Sequence, residues 1–257
     1  MYRIHIVIVA FLAHLNVHAP DASAELVTVI NSGFEDISGE SPFNEFTFGP
    51  LNGWDLYDPD GIAAGGGAGA TYYIGTLTPN APTNFTAGAA EGQRVGIAFN
   101  FAGSGGQGEY GMQQTLSATL QANTHYQLDV EIGNIASGIA QNGDDFNLNG
   151  FPGYRVDLLA GGAVLDQDDN SLSGSIAEGD FGTSSLSFTT GDTHSLLGQA
   201  LGIRLVNLNQ IDLMYPGAHL EVDFDNVRLN ATAVPEPSSL VLLALGGVVA
   251  FRRLFLA

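Results

Sequence analysis

Cysteine and lysine are both missing from this 257-residue chain. Without cysteine there are no disulfides, no thiolate metal ligands and no cysteine nucleophile. Only seven basic residues, all arginine, oppose 27 acidic residues, so the formal net charge is −20. A chain this acidic is not expected to bind nucleic acid or an anionic membrane surface. The charge instead favours a divalent cation as a partner.

Long apolar runs are also scarce, and they occur only at the two ends of the chain. At the start, Arg3 precedes an apolar stretch over residues 4–15, and Ala22-Ser23-Ala24 follows it. The order of a charged, an apolar and a small-residue segment is typical of a secretory signal peptide. We therefore predict a signal helix within residues 1–24 and cleavage after Ala24.

The apolar run near the end, residues 240–251, is too short for a comfortable membrane span, which needs about 20 residues. A Pro-Glu-Pro triplet precedes the run and two arginines follow it. In this order the features resemble the PEP-CTERM sorting segment of bacterial envelope proteins, here residues 234–257. The resemblance implies a sorting helix inserted transiently in the inner membrane, recognition by an exosortase after export by the secretion machinery, and a final location in the cell envelope or outside the cell. The residues that carry it are Pro235, Glu236, Pro237, Arg252 and Arg253.

Between the two ends, helical periodicity is scarce and alternating strand patterns dominate. In one stretch Tyr126, Leu128 and Val130 share a face, and polar residues take the other. Gly161-Gly162 between two such runs predicts a tight hairpin turn. We predict one all-β domain over residues 25–233, a two-sheet antiparallel jelly-roll-like β-sandwich. Its predicted strands are residues 25–30, 43–49, 94–101, 110–117, 125–134, 154–161, 163–168, 184–190, 200–207 and 220–229.

A series of short motifs in this body carries a second resemblance. It includes VINSGFE (29–35), GW (53–54), GYRVDLLAGGAVL (153–165) and VDFDNVRL (222–229). The series resembles the galactose-binding-like, carbohydrate-binding-module-like β-sandwich that is common among PEP-CTERM proteins. The stretches GWDLYDP (53–59) and FNLNGFPGYRVDLLAGG (146–162) also resemble the calcium-dependent Stig cyclases of hapalindole-type alkaloid synthesis.

Calcium is the cofactor that the resemblance to galactose-binding-like domains implies. In galactose-binding-like domains the glutamate of the Gly-Phe-Glu motif and an aspartate of the last strand form part of a calcium site. These residues correspond to Glu35 and Asp225. Calcium prefers six to eight oxygen ligands, which carboxylates and carbonyls supply. The alternative is a solvated carboxylate pair in a very acidic protein.

Trp54, the chain's single tryptophan, and the nearby Tyr57 are candidates for binding a sugar ring. Sugar-binding sandwiches present aromatic rings to the apolar face of a pyranose. The alternative is that Trp54 is a core residue beneath a loop.

The resemblance to Stig cyclases suggests a catalytic site instead. In those enzymes an aspartate on the last strand, near a tyrosine, is thought to protonate the substrate and so trigger rearrangement and cyclisation. Asp223 and Tyr110 are the corresponding candidates, and Phe146 and Phe151 are candidates for lining the cavity. A buried carboxylic acid can donate a proton near neutral pH because burial raises its pKa. The alternative is that Asp223 lies on a solvent-exposed polar face.

Three functions follow from these patterns. The first is an exported, calcium-stabilised binding module with a polysaccharide as its ligand. The second is a cyclase that acts on a small apolar ligand, a prenylated indole, and the third is a structural envelope protein. Burial of Asp223 next to a closed apolar cavity would favour the cyclase, whereas an open groove with Trp54 and Tyr57 at its floor would favour sugar binding.

Overall fold

The computed structural model describes residues 23–49, 51–63, 72–80, 83–101 and 108–234. The predicted signal helix and sorting helix, with Pro235, Glu236, Pro237, Arg252 and Arg253, lie outside these residues. Every regular element within them is a β-strand, which confirms the predicted all-β class. The strands are β1 (Ala24–Val27), β2 (Ser41–Phe43), β3 (Phe46–Phe48), β4 (Asp55–Tyr57), β5 (Tyr72–Leu77), β6 (Val95–Asn100), β7 (Tyr110–Thr119), β8 (Thr124–Asn134), β9 (Gly138–Ile139), β10 (Asp145–Phe146), β11 (Tyr154–Ala160), β12 (Ala163–Asp169), β13 (Asp180–Thr189), β14 (Ala200–Asn207) and β15 (Leu220–Ala233).

Two antiparallel sheets make up the sandwich. The larger has eight strands in the order β13-β8-β15-β6-β5-β3-β2, with β1 paired to the second half of β15. The smaller has five strands in the order β12-β11-β14-β7-β4. Strands β9 and β10 form a separate two-stranded ribbon. The last strand therefore lies in the middle of the larger sheet, between β8 on one side and β6 and β1 on the other.

The apolar faces of the two sheets pack against each other. This inner core contains Tyr110 and Met112 from the smaller sheet and Val222 and Phe224 from the larger one. The predicted hairpin is confirmed, because β11 and β12 pair through Gly161 and Gly162. Both glycines have positive φ (56° and 81°), which side chains rarely tolerate.

A second apolar cluster covers the opposite face of the larger sheet. We call it the outer cluster; its buried members are Tyr73, Leu77, Phe85, Val95, Ile97, Phe99, Ile135 and Leu148. It exists because β6 is buried on both faces: Ala98 belongs to the inner core, while Ile97 and Phe99 point outward. The β9–β10 ribbon contributes Phe146 to the outer cluster. Glu221 and Asp223, which lie on this face of the sheet, are consequently buried.

Candidate functional site

Strand β15 places two acidic side chains under the outer cluster. Val222 and Phe224 face the inner core, so Glu221 and Asp223, which alternate with them, point to the opposite face. Both acids are buried, and Asp223 has no exposed surface. The alternative hypothesis, that Asp223 lies on a solvent-exposed polar face, is therefore wrong. The sequence alternation was correct, but it could not show that the polar face of this strand is covered.

The surroundings of Asp223 are apolar. Its row in the sheet is completed by Ile97 on β6 and Gly133 on β8. A Cβ atom at Gly133 would lie 2.8 Å from Asp223 Cβ and 2.8 Å from atoms of both Phe85 and Phe181. The glycine thus makes room for the acid and for the two phenyl rings, which stack at 4.2 Å between centroids. Neither carboxyl oxygen of Asp223 has a hydrogen-bond donor.

Burial sets the ionisation of this acid pair. Desolvation raises the pKa of Asp223 well above its ordinary value, and the Glu221 charge raises it further. Burial likewise raises the pKa of Glu221 to about 8. The closeness of the two carboxyls acts in opposite directions on them: it raises the pKa of Asp223 and lowers that of Glu221. Burial and the neighbouring Glu221 charge therefore both favour the neutral form of Asp223.

A small cavity lies against Glu221. Its volume is about 10 Å³, the space of one water molecule, and its walls include Phe46, Phe146 and Glu45. The β9–β10 ribbon with its flanking residues, 137–148, covers it; we call this segment the flap. The backbone N–H of Gln141 in the flap donates to Glu45 Oε1 at 2.8 Å. A larger cavity of about 220 Å³ is lined by Phe85, Phe181 and residues 87–90.

The tyrosine near the acids is Tyr73, which sequence reasoning missed. Tyr73, Phe99 and Glu221 form one row across β5, β6 and β15. Burial, together with the charge of Glu221, raises the pKa of the Tyr73 hydroxyl well above its usual range. Tyr110 lies in the inner core, on the other side of the sheet from Asp223, where its hydroxyl accepts from Asn207 Nδ2 at 3.5 Å. The structure does not bring Tyr110 and Asp223 together.

The other aromatic candidates are similarly divided. Phe146 lines the cavity beside Glu221, with its ring 5.8 Å from that of Phe46. Phe151 packs instead against the inner core, 6.2 Å from the ring of Tyr154. The pair therefore does not line one cavity.

Trp54 and Tyr57 do not form a sugar-binding platform. Trp54 is only 2% exposed and stacks on Phe34 at 5.4 Å in the inner core, as the alternative interpretation of the sequence had it. The guanidinium of Arg204 lies over the ring of Tyr57 at 4.3 Å. The ring of Trp54 thus packs against Phe34, and one face of the Tyr57 ring is covered by Arg204. Sequence spacing could not distinguish a ligand-facing tryptophan from a core one.

Glu35 and Asp225, which are 190 positions apart, share neighbours in residues 91–94. Glu35 Oε1 accepts from the backbone N–H groups of Gln93 and Arg94, at 2.6 and 2.8 Å. Asp225 Oδ2 accepts from the backbone N–H of Glu91 at 2.7 Å. Two unusual backbone positions hold these acids: Phe34 has φ of 58°, and Asn226 has φ of 49° beside a bulge in β15.

The acidic group has the donor chemistry of a calcium site. Burial raises the pKa of Asp225 to about 7, and the charges of Glu91 and Glu35 add to this effect, although two backbone N–H groups oppose it. Three mutually repelling carboxylates that offer only oxygen ligands suit a hard divalent cation. Within the described residues, however, no three His, Asp or Glu side chains are grouped closely enough to hold a metal as they stand.

In the part of the chain that the structure describes, no helix is long and apolar enough to span a bilayer.

Two family models match the chain. One, described as HpiC1 cyclase, matches residues 25–230. The other, the PEP-CTERM protein-sorting motif, matches residues 233–253 and indicates an exported protein that an exosortase processes. The predicted resemblances to both groups are thereby confirmed. No curated protein sequence matches the chain.

Solved structures of cyclases from Fischerella are similar over most of the chain. A cyclase from Fischerella sp. TAU is 38% identical, with 82% of this chain and 99% of that one covered and a TM-score of 0.68. A Stig cyclase from the same source, in complex with (3Z)-3-(1-methyl-2-pyrrolidinylidene)-3H-indole, is 37% identical over 81% and 98%, with a TM-score of 0.67. A cyclase from Fischerella sp. TAU in complex with 4-(1H-indol-3-yl)butan-2-one is 38% identical over 80% and 97%, with a TM-score of 0.66.

Proposed function

Since this chain belongs to the HpiC1 cyclase family, we propose that it is an exported cyclase in which Asp223 protonates a prenylated indole and so triggers its rearrangement and ring closure. The observation that carries this proposal is Asp223 itself: a fully buried carboxylic acid without a hydrogen-bond donor, set among aromatic rings. An acid held in its neutral form at neutral pH is what proton transfer to carbon requires.

The proposed reaction is an isomerisation that returns its proton. The O–H bond of Asp223 breaks as a C–H bond forms on the substrate, which leaves a carbocation and a carboxylate. The cation is attacked by a carbon–carbon double bond of the prenyl group, and a new C–C bond closes the ring. Loss of a proton from carbon to the carboxylate then regenerates the alkene or the aromatic ring and the neutral acid.

Aromatic walls suit this chemistry for two reasons. The rings of Phe46 and Phe146 near Glu221, and those of Phe85 and Phe181 near Asp223, exclude water that would trap a cation. Their electron-rich faces also stabilise positive charge by cation–π attraction. The cavity beside Glu221 is smaller than a substrate, so binding requires the flap or the ring pair to move.

The direct test is incubation of the protein, in the presence of calcium, with a 3-prenylated indole at neutral pH. We expect a product of unchanged mass and different chromatographic retention, with a new ring visible by NMR. Failure of the wild-type protein to convert any of a panel of prenylated indoles that differ in chain length would contradict the proposal.

We propose in addition that calcium binds at Glu35 and Asp225, with Glu91 as a third carboxylate. The positive charge of the ion would offset the repulsion between these carboxylates. By binding both Glu35 and Asp225, the ion would also link the Gly-Phe-Glu segment to the last strand. Asp225 is two positions from Asp223, so this link would hold the β15 segment that presents the catalytic acid.

Saturating calcium should raise the melting temperature by about 5–10 °C relative to chelator, because an ion that binds only the native state at about 100 times its Kd adds about 2.7 kcal/mol. Differential scanning calorimetry with calcium or with EGTA measures this shift. Asp225→Asn should abolish it, whereas Asp192→Asn, at an exposed turn, should leave it intact. Identical melting temperatures with millimolar calcium and with EGTA would refute the site.

A further inference from the structure

Two buried carboxyl oxygens that have no hydrogen-bond donor belong to residues that line the cavity under the flap. Glu221 Oε1 and Glu45 Oε2 are both fully enclosed, and neither has a hydrogen-bond partner. Both residues line the same cavity, and each is less than 5% exposed. The second oxygen of Glu45 accepts from Gln141 of the flap. An unpaired buried acceptor costs about 1–3 kcal/mol, so these oxygens are poised for donors that a ligand brings.

The rest of the cavity wall is apolar and partly aromatic. Phe46 and Phe146 stand 5.8 Å apart between centroids, and Leu77, Ile135 and Leu148 complete the wall. Such a wall accepts a flat apolar ring system. With two carboxyl groups that offer unpaired oxygen acceptors at its polar end, the complementary ligand is a flat heterocycle that carries an N–H donor and, beside Glu45, a positive charge.

Building on the proposed cyclase function, we propose that Glu221 and Glu45 are the residues that recognise the substrate: Glu221 Oε1 accepts the ring N–H of an indole-type ligand, and Glu45 faces its cationic part. Both residues lie under the flap, so the flap has to lift for a ligand to reach them. Lifting breaks the bond between Gln141 N–H and Glu45 Oε1 and frees that oxygen as well. Ligand binding is thereby coupled to loss of the hydrogen bond that holds the flap to Glu45.

The role of Glu221 is tested with a matched ligand pair: 4-(1H-indol-3-yl)butan-2-one and its N-methylindole analogue. Isothermal titration calorimetry measures the Kd of each. Wild-type protein should prefer the N–H ligand by about tenfold or more, because a site built for an N–H donor rejects a ligand that lacks it. Glu221→Met should reduce this preference to about onefold. Glu25→Met, on the exposed strand β1, is the matched control and should retain the preference.

The role of Glu45 is tested with a second pair: the same ketone and the corresponding 2-amine, which is a cation at neutral pH. Wild-type protein should favour the amine by about tenfold, as expected for a cation placed beside a buried carboxylate. Glu45→Gln should lose that preference and keep the preference for the indole N–H. If Glu221→Met fails to fold, Glu221→Leu takes its place, since replacing a buried ionisable group with an apolar group of similar volume is often tolerated.

These binding measurements stand apart from turnover. Asp223→Asn, inactive under the proposed function, should still distinguish the N–H from the N-methyl ligand. If Asp223→Asn keeps its cyclase activity and its ligand preferences are unchanged, the proposed role of Asp223 as the acid is wrong. The proposed roles of Glu221 and Glu45 in recognition then still stand. If the wild-type protein binds both members of each pair equally, or binds none of them at millimolar concentration, the recognition proposal is overturned even if the wild-type protein cyclises its substrate.

Discussion

Replacing Asp223 with asparagine should lower the rate of cyclisation by about 10³-fold, because general acids contribute on the order of 10²- to 10⁴-fold to a rate. Asparagine has nearly the same shape and fills the space beside Gly133 and the Phe85–Phe181 pair, so the fold should persist. The amide cannot supply the proton that starts the reaction. The loss should appear in kcat, measured by product formation under saturating substrate, with little change in KM.

The matched control for this variant is Asp192→Asn, which removes an exposed acid in the segment between β13 and β14. Its kcat should equal that of the wild-type protein. The melting temperature of Asp223→Asn should stay close to that of the wild type, since a neutral amide of nearly the same size replaces the buried acid. An Asp223→Asn protein that folds and keeps more than about a tenth of the activity would show that another group delivers the proton.

Stability should fall as the pH rises from about 4.5 to 8, and Glu221 should account for much of this slope. Burial raises the pKa of Glu221 from 4.5 in the unfolded chain to about 8 in the folded one. Across this window the folded state holds a proton that the unfolded state has released, so raising the pH favours unfolding. The loss reaches on the order of 4 kcal/mol, since each unit of pKa difference corresponds to about 1.4 kcal/mol.

Urea unfolding at pH 5 and pH 8 measures this difference, and Glu221→Gln should reduce it. Some slope should remain, because burial also raises the pKa values of Asp223 and Asp225. Glu25→Gln removes an exposed acid on β1 and should leave the slope unchanged. Equal slopes in the wild-type and Glu221→Gln proteins would mean that Glu221 keeps an ordinary pKa.

Local sequence patterns predicted the strands that build the sandwich. The long alternating runs correspond to β7, β8, β11, β13, β14 and β15, because a strand with one covered face repeats every two residues. Strand β5 and the short strands β2, β4, β9 and β10 were missed. Elements of two or three residues are too short to show a period, and they are set by their partners in the sheet.

The acid site shows where local patterns stop being informative. The sequence identified Asp223 because the last strand resembles that of known cyclases. Glu221 and Tyr73 carry no such mark, and only the register of β5, β6 and β15 brings them into one row. Tyr110 was paired with Asp223 on the resemblance to those cyclases, and one sequence cannot show which face of which sheet a tyrosine occupies.

The sequence by itself determined the all-β class, the sorting motif and the relationship to the cyclases, because alternation, ordered motifs and composition are local or additive properties of a chain. The tertiary structure alone decided which acids are buried. Whether the polar face of β15 meets water depends on the outer cluster and the flap, which come from distant segments. Burial by those segments gives Asp223 and Glu221 their raised pKa values, and no pattern within β15 encodes it.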